Sequence, residues 1–73
     1  MVELDQLRED VVQIFSAIPG AQLENIEAVT MVTIEVLVPL AVSSKDIAKG
    51  QIEMMRKYLD HPNLRFNFIF KRG

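Results

Sequence analysis

The stretch with the most pronounced chemical character closes the chain. From Arg65 to Gly73 it reads RFNFIFKRG, with three of the four phenylalanines at every second position among bases. Aromatic residues on a strand with basic and glycine neighbours are what RNA-reading sheets use to stack bases. Stacking requires rings that face water. Here Phe66, Phe68 and Phe70 share a face with Leu64, and turning that face outward would drive Arg65, Asn67 and Lys71 inward. Burying those groups without partners costs several kcal/mol. The rings are therefore expected to be core.

Other reactive types are sparse. Asp60-His61 sets one imidazole beside one carboxylate, but a metal centre or a proton relay needs a third group. Glu24, Glu27 and Glu35 could pair for general acid–base work, although their spacing reads more simply as solvated surface. Thr33 and Ser43-Ser44 have no neighbouring base, and no glycine-rich phosphate loop is present. Cysteine is absent, which excludes disulfides and thiolate-bound metal. The expectation is a protein without catalytic residues, cofactor or metal.

The whole chain, residues 1–73, reads as a single domain. At this size folding buries only about 60% of the surface the unfolded chain exposes. Such chains usually need a staple, and with disulfides excluded the remaining one is association. The start, Met1-Val2-Glu3-Leu4-Asp5, is acidic where a secretion signal would be basic and apolar. The longest apolar run, residues 28 to 42, contains Glu35 and Pro39 and falls short of the roughly 20 residues that span a membrane. Cytoplasmic location is the expectation. The net charge of −2 hides an asymmetry. Residues 1–35 carry seven acids and one base; residues 36–73 carry seven bases and three acids. The two ends either lie against each other, within the fold or across a self-association contact, or the basic half meets an anion.

The elements that must position these residues follow from periodicity. Residues 3 to 18 predict an amphipathic helix with Leu4, Leu7, Val11, Ile14, Phe15 and Ile18 in one stripe. Arg8, Glu9, Asp10, Gln13 and Ser16 occupy the opposite face, and Pro19-Gly20 stops the helix. Residues 21 to 28 stay open between a helical turn and a short strand. Residues 29 to 38 predict a strand, with Val32, Ile34, Val36 and Val38 on the core face. A second helix is expected over about 44 to 59, with Ser43 and Asp46 resembling a capping box. Its buried stripe is assigned to Ala48, Ile52, Met55 and Leu59, flanked by Ile47, Met54 and Tyr58; Gly50 either lets something approach closely or is a weak spot, and Glu53 is placed to pair with Lys57. After the turn at 60–63, residues 64 to 71 alternate as a half-buried strand.

The fold class is thus α/β, an α+β sandwich ordered helix–(short strand or turn)–strand–helix–strand, with two helices on one face of a small sheet. Strands 29–38 and 64–71 should be parallel, joined by a right-handed crossover. This order, with Ile18-Pro19-Gly20 between the first helix and the strands, resembles a ferredoxin-like plait lacking its first strand. Small cytoplasmic domains of cation-efflux transporters and heavy-metal-binding domains share it. The resemblance implies a fold and assigns no residue.

Nothing in the chain is left to cover the sheet's other face. Its residues Met31, Thr33, Glu35, Leu37 and Ile69 are the expected interface of a homodimer or larger homo-oligomer, with a strand edge as the other route. Met31 and Met54 are candidate interface methionines, and Met55 is assigned to the core. The leading expectation is a small non-catalytic interaction or regulatory module that self-associates through its sheet. The alternative is polyanion or nucleic-acid binding through Lys45, Lys49, Arg56, Lys57, Lys71 and Arg72.

Overall fold

The computed structural model describes residues 3–73; Met1 and Val2, part of the stretch used to argue against a secretion signal, lie outside it. Five elements follow in chain order: α1 (Leu4–Phe15), β1 (Gln22–Ala28), β2 (Val32–Val38), α2 (Ser44–Lys57) and β3 (Phe66–Arg72). The result is a small α+β fold in which two helices accompany a three-stranded mixed sheet of order β1-β2-β3. β1 runs antiparallel to β2. β3 runs parallel to β2, as the crossover requires. No helix among the described residues is long and apolar enough to cross a membrane.

α1 is shorter than its periodicity suggests. It ends at Phe15, and Ile18 reaches the core from the following turn, where its N–H donates to the Phe15 carbonyl at 3.0 Å. Pro19 disfavours helical geometry at Ile18, which pulls the boundary back. Asp10, assigned above to the solvated face, is instead 2% exposed. It lies on the flank that meets α2, where the buried Tyr58 and the half-exposed Lys57 reach its carboxylate.

Residues 22–28, left open by the sequence, form β1. Helix-favouring types yield to pairing: Ile26 sits opposite Ile34 and is buried in the shared core. Residues 29 to 31 belong to the turn between β1 and β2 and not to the strand, with Val29 fully wet. β2 keeps the expected alternation, with Val32, Ile34, Val36 and Val38 all buried. Both helices cover that face. Phe15 of α1 packs on Phe68 and Phe70, and Tyr58, just after α2, packs on Phe66. The rings of β3 therefore face inward, as their polar alternates demanded.

α2 begins as expected, with the Ser43 hydroxyl accepting from the Asp46 N–H at 3.2 Å. Its buried side is different from the one assigned above. Gly50 and Met54 face inward, with Tyr58 beyond, whereas Ile52, Met55 and Leu59 are exposed. The helix carries two apolar stripes, 47/54/58 and 48/52/55/59, and one face cannot bury both. Gly50 decides between them. A Cβ there would stand 2.5 Å from the Phe15 ring, so the missing side chain is what lets α1 press against α2 on that stripe. Met54 and Met55 thereby exchange their assigned places.

Gly50→Ala tests this packing. Alanine would gain about 1 kcal/mol in helix propensity. The buried Phe15 ring packs against both Phe68 and Phe70, so giving way would disturb those contacts. Overpacking of this kind costs about 1–3 kcal/mol, so thermal denaturation should show a net loss of stability or none of the expected gain.

Candidate functional site

β3 is one of the two open edges of the sheet, paired on one side only, with β1 at the opposite edge. Two hydrogen bonds fix its register: Val32 N–H to the Arg65 carbonyl at 2.8 Å, and Gly73 N–H to the Val38 carbonyl at 3.2 Å. In a parallel pair, residues that bond the neighbour alternate with residues that do not. Asn67, Ile69 and Lys71 therefore spend their backbone groups on β2. The N–H and C=O groups of Phe66, Phe68 and Phe70 point away from the sheet. The edge is seven residues long, without proline or a bulge. Such an edge is a template for another strand.

Above it lies the outward stripe of α2. Because Gly50 and Lys57 turn toward α1, Ala48, Ile52, Met55 and Leu59 turn away from α1 and overhang the β3 edge. Between helix and edge runs an open apolar groove of about 660 Å³, floored by Phe66 and Phe68 and walled by Ile52, Met55 and Leu59. Met31, expected on the far face of the sheet, lines this groove from the β1–β2 turn.

The far face itself is more polar than expected. Thr33, Glu35 and Leu37 do share it with Ile69. At its centre, however, Glu35 accepts a hydrogen bond from Asn25 Nδ2 at 3.1 Å and meets Lys71 Nζ at 3.2 Å. The Asn25 amide first, and then the Lys71 ammonium, hold the Glu35 carboxyl below its ordinary range. Ile69 and Leu37 are isolated apolar spots around that cluster.

The six candidate anion-binding bases are scattered. Lys57 is committed to Asp10 at 2.7 Å and Lys71 to Glu35. Arg72 donates to the carbonyls of Leu40 and Val42, at 3.2 and 2.8 Å, and so pins the loop leading into α2. Lys45, Lys49 and Arg56 lie exposed along α2 with no ion pair recorded among the described residues. His61 is exposed beside Asp60, at 3.7 Å. No group of three or more metal-ligating side chains occurs among the described residues.

The Asp10 cluster is the constellation the sequence concealed. Tyr58 donates its hydroxyl hydrogen to Oδ2, and Gln6 Nε2 and Lys57 Nζ reach Oδ1 at 3.1 and 2.7 Å. Burial pushes the Asp10 carboxyl up, but the hydrogen bonds of Lys57, Tyr58 and Gln6, with the Lys57 charge, outweigh it and leave a net downward shift. Burial, and then Asp10 itself, push the Tyr58 phenol up. The carboxylate is thus held ionised by three donors, and it locks α1 to the end of α2. The Lys57 side chain, expected to pair with Glu53, goes there instead. The available signal was an i to i+4 pair, Gln6 and Asp10, on the flank of a helix that had to meet a second helix.

No family model matches the chain, and no curated protein or solved structure matches it either.

Asp10→Ala should cost about 1–3 kcal/mol, since it strands the buried Tyr58 hydroxyl. The pH dependence has a definite sign. A carboxyl whose folded pKa is lowered contributes stability that is present above its unfolded pKa, near 4, and lost as pH falls through the folded value. Denaturant melts of the wild type should weaken below about pH 4. In Asp10→Asn that part of the acid sensitivity should be gone.

Proposed function

We propose that this protein is a small non-catalytic interaction module that self-associates, and that the contact is the β3 edge with the α2 stripe above it. The observation that carries the reading is the coincidence of two unsatisfied surfaces. The N–H and C=O groups of Phe66, Phe68 and Phe70 are free at the β3 edge, and the uncovered Ile52, Met55 and Leu59 line a groove together with Phe66 and Phe68. A strand docked there would gain main-chain hydrogen bonds and bury its inward side chains under α2, the usual economy of strand addition. The far sheet face supports the reading less well, because docking on it would bury the Asn25–Glu35–Lys71 cluster.

The element order supports a finer description of the fold on the same terms. In a ferredoxin-like plait with its first strand missing, the two strands of the second split unit close into a direct parallel pair. β2 and β3 are such a pair, and the place beyond β3 stands unfilled.

Light scattering across a range of protein concentrations tests the proposal. The wild type should exceed the mass of one chain. Met55→Glu alters a residue already 59% exposed, so the variant should stay folded, lose only the stability that association supplies, and run as a monomer. Leu37→Asp, on the far face, should leave the mass unchanged. A wild type of single-chain mass at every concentration, or a monomeric Leu37→Asp beside an unaltered Met55→Glu, would reject this contact.

A further inference from the structure

The surface on the second copy that meets the β3 edge can be read from the opposite edge of the sheet. Resting on the self-association proposed above, we infer that copies join head to tail, the β3 edge of one against the β1 edge of the next.

Charge distinguishes the two ends. β1 carries Glu24 and Glu27, both exposed, whereas β3 is preceded by the exposed Arg65 and carries Lys71, which also meets Glu35 of β2. The helix layer repeats the contrast in balance: the exposed Asp5 and Glu9 outnumber Arg8 on α1, and the exposed Lys45, Lys49 and Arg56 outnumber Asp46 and Glu53 on α2. The charge asymmetry of the chain thus becomes an asymmetry between the two edges of one sheet. β1 against β1 would oppose glutamates. β3 against β3, with a two-fold axis at Phe68, would set Arg65 opposite Lys71 of the second copy. Like charges directly across a ladder are destabilising, and opposite charges are favourable. Only the mixed pairing of edges meets opposite sign on both layers.

Backbone and apolar groups agree. Val32, Ile34, Val36 and Val38 turn their backbone groups to β3, so Thr33, Glu35 and Leu37 are the residues that bond β1. Their partners there are Glu27, Asn25 and Gln22, which leaves the backbone groups of Ile26 and Ala28 open at the β1 edge. The irregularity between Leu23 and Asn25 moves Glu24 out of that short ladder. Within one copy β1 runs antiparallel to β3, so a copy added in the same orientation presents an antiparallel strand. Above β1, Val12 of α1 is 54% exposed at a hollow lined also by Arg8 and Leu23. It stands where the overhanging Met55 and Ile52 of the neighbour arrive. Such a contact is heterologous and continues into a ring or a fibre.

Mixing two blocked variants tests the geometry. Met55→Glu closes the β3 end, and the double variant Glu24→Lys/Glu27→Lys reverses the β1 end. Circular dichroism melts confirm that each is folded, with Val12→Glu as a second way to close the β1 end. Each variant alone should be monomeric by light scattering. Their equimolar mixture should form one-to-one pairs of twice the monomer mass, and added salt should weaken them. If a β1-end variant alone associates like the wild type, the contact is two-fold through β3, and the head-to-tail inference fails while the self-association reading stands. A wild type that never exceeds one chain's mass overturns both.

Discussion

The Phe15 ring occupies the place where a side chain at position 50 would be. That contact sets how α2 is rolled about its axis, and much of the structure follows from the roll. With Gly50 against Phe15, Met54 and Tyr58 turn into the core, and Tyr58 and Lys57 come within reach of Asp10. The buried carboxylate then closes a second tie between the same two helices. One tie is steric and the other is ionic and hydrogen-bonded; together they leave α2 one orientation. The apolar stripe that loses this competition, Ile52 with Met55 and Leu59, is what overhangs the open strand.

Periodicity made β2, β3 and the first helix legible because each has one apolar stripe and therefore one solution. β2 alternates cleanly, and β3 could not expose its phenylalanines without burying Arg65 and Lys71, so facing followed from composition. α2 was different. Two stripes of similar strength run along it, and the choice between them lies in a contact with Phe15, thirty-five positions away. Residues 22–28 were ambiguous for the same reason. Their types favour helix, and only the pairing of Ile26 with Ile34 makes them a strand. Asp10 could not be identified as buried from its own helix, since its donors Tyr58 and Lys57 come from the far end of the chain.

The candidate site shifted accordingly. A sheet two or three strands wide with one uncovered face suggested association through that face. The structure gives the face a polar centre in Glu35 and places the larger apolar surface at the edge, under α2. Met31 moved with it, from the far face to the groove. Three of the six bases that suggested an anion site have separate tasks: Lys57 neutralises Asp10, Lys71 meets Glu35, and Arg72 holds the loop before α2. Sequence can count charges on a segment, but the partner each one takes is a property of the fold.

The alternation along β3 has a spectroscopic corollary. In a solitary protomer placed in heavy water, the amide hydrogens of Asn67, Ile69 and Lys71 would be retained by their bonds to β2. Those of Phe66, Phe68 and Phe70, pointing to solvent, would be replaced by deuterium far sooner. A strand engaged on both sides would lose that odd–even rhythm, so the isotope pattern of six consecutive residues reports on whether the edge is occupied.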